Sequence, residues 1–384
     1  MNKKTLNLAK IMPVLMASLL MGFADVVGVA TGYIKEDFGL RDDLAQLIPF
    51  MALVWFFLLS VPAGILQDKY GKRKMLNIGM ALMGVGMIVP FFHYSFPVML
   101  LAMILMGIGN TIIQVSANPL LMDVVPKERF SSFMSLSQFI KAISSLLGPI
   151  IATFVALQFG EWKLVFAIYA ITSFIAVLWL YFTPIEESKP NEKAATFKSC
   201  FSLLKNSFVL LMVLGIFFLV GADVGMNTNI ANYLQSNHDL SLEKASLGIS
   251  IYFAALMISR FLGAVLLNWI DARKFLFWSA LLALLSMIAL IIAPSVWFAR
   301  VAIFMAGLAS GNLFPLIFAI TLEKLPKRAN EVSGLMIMAI SGGAIIPPLM
   351  GVMSTNLGMT ASLMVLVICM VYMVGVSIYA MKRN

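Results

Sequence analysis

Residues 107–149 read GIGNTIIQVSANPLLMDVVPKERFSSFMSLSQFIKAISSLLGP. Two long apolar segments flank the short basic loop Pro126-Lys127-Glu128-Arg129, so the stretch reads as two membrane-spanning helices. Polar residues interrupt both on a helical period. Asn110, Gln114 and Asn118 recur every four residues and share one face. Gln138, Lys141 and Ser145 recur at three and four and share a face on the next helix. A lysine near the middle of a bilayer costs about 2.5–3.5 kcal/mol even on permissive insertion scales. Both faces must therefore look onto something polar.

The rest of the chain supports this reading. Its 384 residues are 61% hydrophobic and 12% charged, against about 25% charge in soluble proteins. A polytopic membrane protein is implied. Lys3, Lys4 and Lys10 precede an apolar run that continues to Tyr33 without a small-residue cleavage site, so a retained first span is expected, not a signal peptide. Cys200 and Cys369 lie far apart, and neither a disulfide nor a metal site is expected. The 28 methionines read as soft packing between helices.

Twelve spans of sufficient length fit, at 10–34, 44–67, 75–93, 97–123, 130–158, 162–183, 207–234, 244–268, 274–293, 296–322, 329–354 and 359–381. The termini and even-numbered loops hold 20 lysines and arginines, and the odd loops only Lys35, Arg41, Lys163, Lys244 and Arg300. By the positive-inside rule both termini are cytoplasmic, and a multi-pass protein of the cytoplasmic (inner) membrane is expected. The net charge of +9 is thus topological, and a nucleic-acid partner is not expected. The proline- and charge-bearing segment after Thr183 splits the spans six and six. The expected organisation is an N-terminal six-helix bundle over 1–183, a cytoplasmic linker over 184–206 and a C-terminal six-helix bundle over 207–384.

The halves repeat. Gly107 and Gly307, then Pro126 and Pro326, keep a constant offset, and Ala24-Asp25-Val26 matches Ala222-Asp223-Val224. Gly64 and Gly263 start a further matching pair of segments. The fold class expected is an all-α membrane protein of 12 transmembrane helices in two pseudo-symmetric bundles, with a site at the repeat interface. Glycines 107, 109, 148, 342 and 343 and prolines 119, 149, 347 and 348 are expected to allow close helix approach and local bending.

Residues 64–74, GILQDKYGKRK, fit the pattern GxxxD[RK]xGx[RK][RK] through Gly64, Asp68, Lys69, Gly71, Arg73 and Lys74. This is the signature loop of the major facilitator superfamily, and the chain resembles that superfamily. Asp68 is expected to cap a neighbouring helix or pair with a basic residue when the inner side is closed. Gln114-Val-Ser-Ala-Asn118-Pro119, Ser259-Arg260-Phe261-Leu262-Gly263, Gly311-Asn312-Leu-Phe314-Pro315 and the segment from Gly342 to Gly351 resemble the fucose permease branch, the fucose–galactose–glucose:proton symporters. Nearly the whole chain shares the resemblance.

That resemblance implies proton-coupled uptake of a monosaccharide by alternating access, with no cofactor beyond the proton as coupling ion. It also implies that a carboxylate in span one couples the proton, and Asp25 matches. Ser18, Gly22, Asp25, Gly28 and Gly32 form one small, polar face, suited to a lumen. An aspartate shielded there from water is able to take and release a proton near neutral pH. Gln114, Asn118, Gln138 and Lys141 from the first half, and Asp223, Asn227 and Asn312 from the second, are expected to hold the substrate. Arg260 is the expected buried partner of Asp223, and Lys141 that of Asp25, so that two acids and two bases cancel. Trp55, Tyr252 and Phe314 are placed to stack on a sugar ring, although bundle aromatics commonly only pack. His93 reads as interfacial.

Two departures matter. Lys141 stands where the branch has a neutral amide, which opens a reading as carrier of an anionic sugar acid. Gln114 stands where some relatives carry an acid, so coupling falls on Asp25. An uncoupled facilitator or an antiporter would share the fold. No paired nucleophile and base and no HExxH pattern is found in the spans, so an enzyme is not expected. The partners expected are a small sugar and membrane lipid, and the chain is expected to be a monomer.

Overall fold

The computed structural model describes residues 6–40, 44, 47–188 and 195–382. Among them, twelve helices are long and apolar enough to cross a membrane: α1 Leu8–Asp37, α2 Leu47–Tyr70, α3 Lys72–Phe92, α4 Phe96–Val124, α5 Lys127–Phe159, α6 Leu164–Phe182, α7 Ser207–His238, α8 Leu242–Leu266, α9 Ala272–Ile291, α10 Val296–Lys324, α11 Pro326–Leu357 and α12 Met359–Lys382. Every expected span is present. A short helix, Phe197–Ser202, precedes α7. It carries Cys200, whose thiol is pushed up to about 12 by burial. Cys200 and Cys369 are both free.

Three spans break, and one of the breaks lies a turn before a proline, Pro315 of α10. A 3-10 turn at Ala24–Val26 interrupts α1. Another, Ala339–Ser341, interrupts α11 just before Gly342 and Gly343. In α10 the helix stops at Ser310 and resumes at Leu313. Pro119, Pro149, Pro347 and Pro348 all sit inside continuous helix. A proline in a span is tolerated when its freed carbonyl finds another donor. Pro119 frees the carbonyl of Val115, and the Ser333 hydroxyl donates to that oxygen at 2.7 Å.

Contacts group the chain into two units. The first comprises Met1–Phe130, Ser137–Phe201 and Leu325–Met338; the second comprises Ser131–Leu136, Ser202–Lys324 and Ala339–Asn384. Each unit thus differs from a cut at the linker by one exchanged segment, and the two segments are repeat-equivalents in α5 and α11.

In the first unit the opening turns of α11 pack on α2 and α4. A Cβ on Gly64 would meet the Asn330 carbonyl at 2.7 Å, and one on Gly334 would meet the Ser60 carbonyl at 2.8 Å. The signature loop secures this crossing. Asp68 accepts from the Asn330 side chain at 3.1 Å and from the Ala195 backbone at 3.0 Å, and Gln67 donates to the Asn330 carbonyl at 3.3 Å. Gly71 turns the chain into α3 with φ +92. Glu187 then accepts the α3 backbone amides of Lys72 at 2.5 Å and Arg73 at 3.2 Å. That is a favourable place for a carboxylate, at a helix start.

In the second unit, the small segment Ser131–Leu136 lies on α8. Ser132 donates to the Ala264 carbonyl, and Asn268 donates to the Ser132 hydroxyl at 3.3 Å.

Close packing sets α4 against its neighbours. A Cβ on Gly107 would meet the Ala52 carbonyl at 2.2 Å and the Trp55 ring at 2.8 Å. Gly107→Ala is expected to destabilise by about 1–3 kcal/mol, as overpacking does. Gly351 has nothing within 4 Å, so Gly351→Ala is expected to be neutral or to gain up to about 1 kcal/mol from helix propensity. Thermal unfolding of the detergent-purified variants side by side checks both; equal midpoints would refute the packing explanation.

Candidate functional site

In the first unit the site is set by where α1 meets α5. A Cβ on Gly22 would meet the Lys141 carbonyl at 2.5 Å and the Ser144 side chain at 2.7 Å. This near backbone contact puts the 3-10 turn of α1 beside α5, where the Ser145 hydroxyl donates to Asp25. The same hydroxyl reaches the Lys141 carbonyl at 3.0 Å. Asp25 is exposed, and the expected shielding from water is corrected on that point. Gly28 and Gly32, on the same face, carry no side chain to cover it and are exposed themselves. Lys141 is half-buried.

The polar face of α4 is buried throughout: Asn110 at 2%, Gln114 at 6% and Asn118 at 3% exposure. Asn118 donates to the Gln114 carbonyl at 3.2 Å, while Asn110 Oδ1 is buried without a hydrogen-bond partner. Gln138 is buried as well. Trp55 is half-buried, held against Gly107, and its indole nitrogen has no hydrogen-bond partner.

In the second unit, Asp223 occupies the position equivalent to Asp25 but a different environment. It is half-buried and accepts from the Tyr252 hydroxyl at 2.7 Å. Leu219, Ala222, Tyr252, Met287, Ser310 and Met370 close in around it and leave no room for a water molecule. Tyr252 is 0% exposed. Its placement for ring stacking is therefore corrected: it is spent on positioning Asp223.

The α8 segment Ser259–Gly263 and the α10 break belong together. Asn312 donates to the Ser259 carbonyl and, at 2.9 Å, to its hydroxyl. A Cβ on Gly263 would meet Asn312 Oδ1 at 2.2 Å. Arg260 donates to the Gly311 carbonyl at 3.4 Å, at the break itself. Asn312, at 1% exposure, thus clamps α8 to α10. Asn227 is half-buried, one turn beyond Asp223. Phe314 is half-buried and leans on Phe318 at 5.7 Å between ring centres. His93 is exposed just past the end of α3, in keeping with an interfacial place.

One charged cluster has no counterpart in the sequence reading. Lys72 pairs with Asp123 at 2.6 Å, with both side chains 4% exposed. Ser188 donates to Asp123 at 2.7 Å and accepts from Lys72 at 2.8 Å. Lys72 sat in a loop whose lysines all looked topological. The signal that was available is the carboxylate of Asp123, near the end of an otherwise apolar span.

A model of the Major Facilitator Superfamily matches residues 14–348, and again residues 213–383. The chain belongs to the Major Facilitator Superfamily. Members of this superfamily are transporters and not enzymes, and this chain is no exception. Within the superfamily, the glucose/galactose transporter of Brucella abortus biovar 1 (strain 9-941) is 25% identical over 355 residues, covering 88% of this chain and 86% of that protein. A putative glucose/galactose transporter of Helicobacter pylori (strain J99) is 27% identical over 364 residues, covering 89% and 88%. The crystal structure of the E. coli fucose:proton symporter FucP aligns with a TM-score of 0.83 at 18% identity, over 97% of this chain and 99% of that one. The facilitator fold is thereby shared along nearly the full length.

Proposed function

We propose that this chain takes up a monosaccharide together with a proton, by alternating access, in the cytoplasmic membrane with both termini in the cytoplasm. The observation that carries the coupling role is Asp25: a carboxylate at a helix break in mid-span, exposed, and held by the Ser145 hydroxyl. Gln114, Asn118, Gln138 and Lys141 in one half, with Asp223 and Asn227 in the other, bind the sugar hydroxyls. Asn312 keeps α10 in place for them. The names of the Brucella and Helicobacter relatives support a hexose, and that of FucP supports proton symport.

Lys141 favours a second reading, a sugar acid whose carboxylate the ammonium neutralises. The lysine shares a face with Gln138, and its carbonyl abuts Gly22, three residues before Asp25. Reconstituted vesicles in weakly buffered medium separate the readings. Addition of glucose, galactose or fucose is expected to make the outside more alkaline as protons follow the sugar inward. Sugar accumulation without alkalinisation would sink symport. A response confined to sugar acids would select the second reading.

A further inference from the structure

The second unit carries a cavity of about 850 Å³ beside the first turns of α10, lined by neither Asp223 nor Asn227. Its walls are Ile251 of α8 and Val296, Trp297, Arg300, Val301 and Phe304 of α10. Among these lining residues Arg300 is the one charge. Its Nε is buried without a hydrogen-bond partner, and Trp297 beside it is 71% exposed.

Three features define the occupant. Arg300 lies four residues inside α10, about 6 Å from the helix start. In a membrane that depth is where headgroup phosphates meet the hydrocarbon. Tryptophan is enriched at the same level. The remaining walls are apolar and suit a hydrocarbon chain, which a soluble anion would not fill. A guanidinium with a free N–H beside such walls matches a phosphate carrying an acyl chain.

We propose that this cavity binds one anionic phospholipid from the leaflet opposite the termini. The phosphate sits on Arg300, and an acyl chain runs along Val301, Phe304 and Ile251. Trp297 covers the glycerol edge. The site is independent of what the protein transports.

The full chain in nanodiscs tests this, with acyl-brominated phosphatidylglycerol or phosphatidylcholine as the probe. The Trp297 signal is the difference between the unaltered chain and Trp297→Phe. Half-quenching is expected at about fivefold less phosphatidylglycerol than phosphatidylcholine, the preference one basic residue supplies at a membrane surface. Arg300→Gln is expected to bring the two lipids together, and Arg300→Lys to keep most of the preference. Equal quenching in the unaltered chain overturns the proposal, and that comparison needs no variant of Arg300 to fold. A preference that persists in Arg300→Gln overturns it too. So does relief of quenching by a soluble sugar acid, which would make the cavity part of a substrate path.

Discussion

Asp25→Asn is expected to abolish uphill uptake while leaving counterflow within about twofold of the unaltered chain, since an amide is isosteric and still accepts the Ser145 hydroxyl. What the amide loses is the exchangeable charge. A proton gradient of one pH unit supports about tenfold accumulation per proton carried. In the variant, sugar is expected to equilibrate and stop at the outside concentration. Uptake by the unaltered chain is expected to rise as the outside is acidified, and that of the variant to stay flat. Retained accumulation in Asp25→Asn would remove Asp25 from the coupling role. Loss of counterflow as well would make Asp25 a substrate ligand. Ser145→Ala separates positioning from titration. It leaves the carboxylate intact, so it is expected to weaken coupling without removing the response to outside pH.

Lys72→Met is expected to be the most damaging single change to stability. Lys72 and Asp123 form an ion pair with both side chains 4% exposed. Removing one partner from a buried pair takes away much of what compensates the other's charge, at a cost of up to about 3–5 kcal/mol. A surface pair would cost about 1 kcal/mol at most. The midpoint of thermal unfolding in detergent is expected to fall on the order of 10 °C. Lys72→Met combined with Asp123→Leu is expected to recover most of the loss, because apolar groups of similar size replace the charges. Ser188 joins this pair through both its donor and its acceptor. The segment after α6 is therefore expected to loosen with the pair, and protease cleavage there is expected to speed up in the single variant and recover in the double. A single variant as stable as the unaltered chain would show that Asp123 finds another partner.

The spans, their order and the family were legible because hydropathy and helical period are properties of the chain read locally. The signature loop was legible for the same reason: its glycines and charges are contiguous. Asp25, Gln114, Asn118, Gln138 and Lys141 could be found as polar residues that recur on helix faces. Their surroundings could not. Whether a side chain is covered depends on residues far away in sequence, and at Asp25 it turns on two glycines that cover nothing. The partnership of Asp223 with Tyr252 spans separate helices and leaves no spacing signal. Asn312 shows the same limit, since its amide reads as a ligand until Ser259 is seen to take it.

Composition and motif therefore determined that this chain crosses a membrane twelve times, that it is a major facilitator, and that polar and charged groups lie within its spans. Tertiary structure decided what those groups do. It placed Asp25 in the open and Tyr252 in the interior, it joined the Lys72 of one helix to the Asp123 of another, and it kept α4 continuous through Pro119 by lending the Ser333 hydroxyl to a freed carbonyl. The physical reason is one of range. The cost of placing a residue in lipid acts on each segment by itself. Hydrogen bonds and ion pairs form only between groups that packing has brought to within a few ångströms.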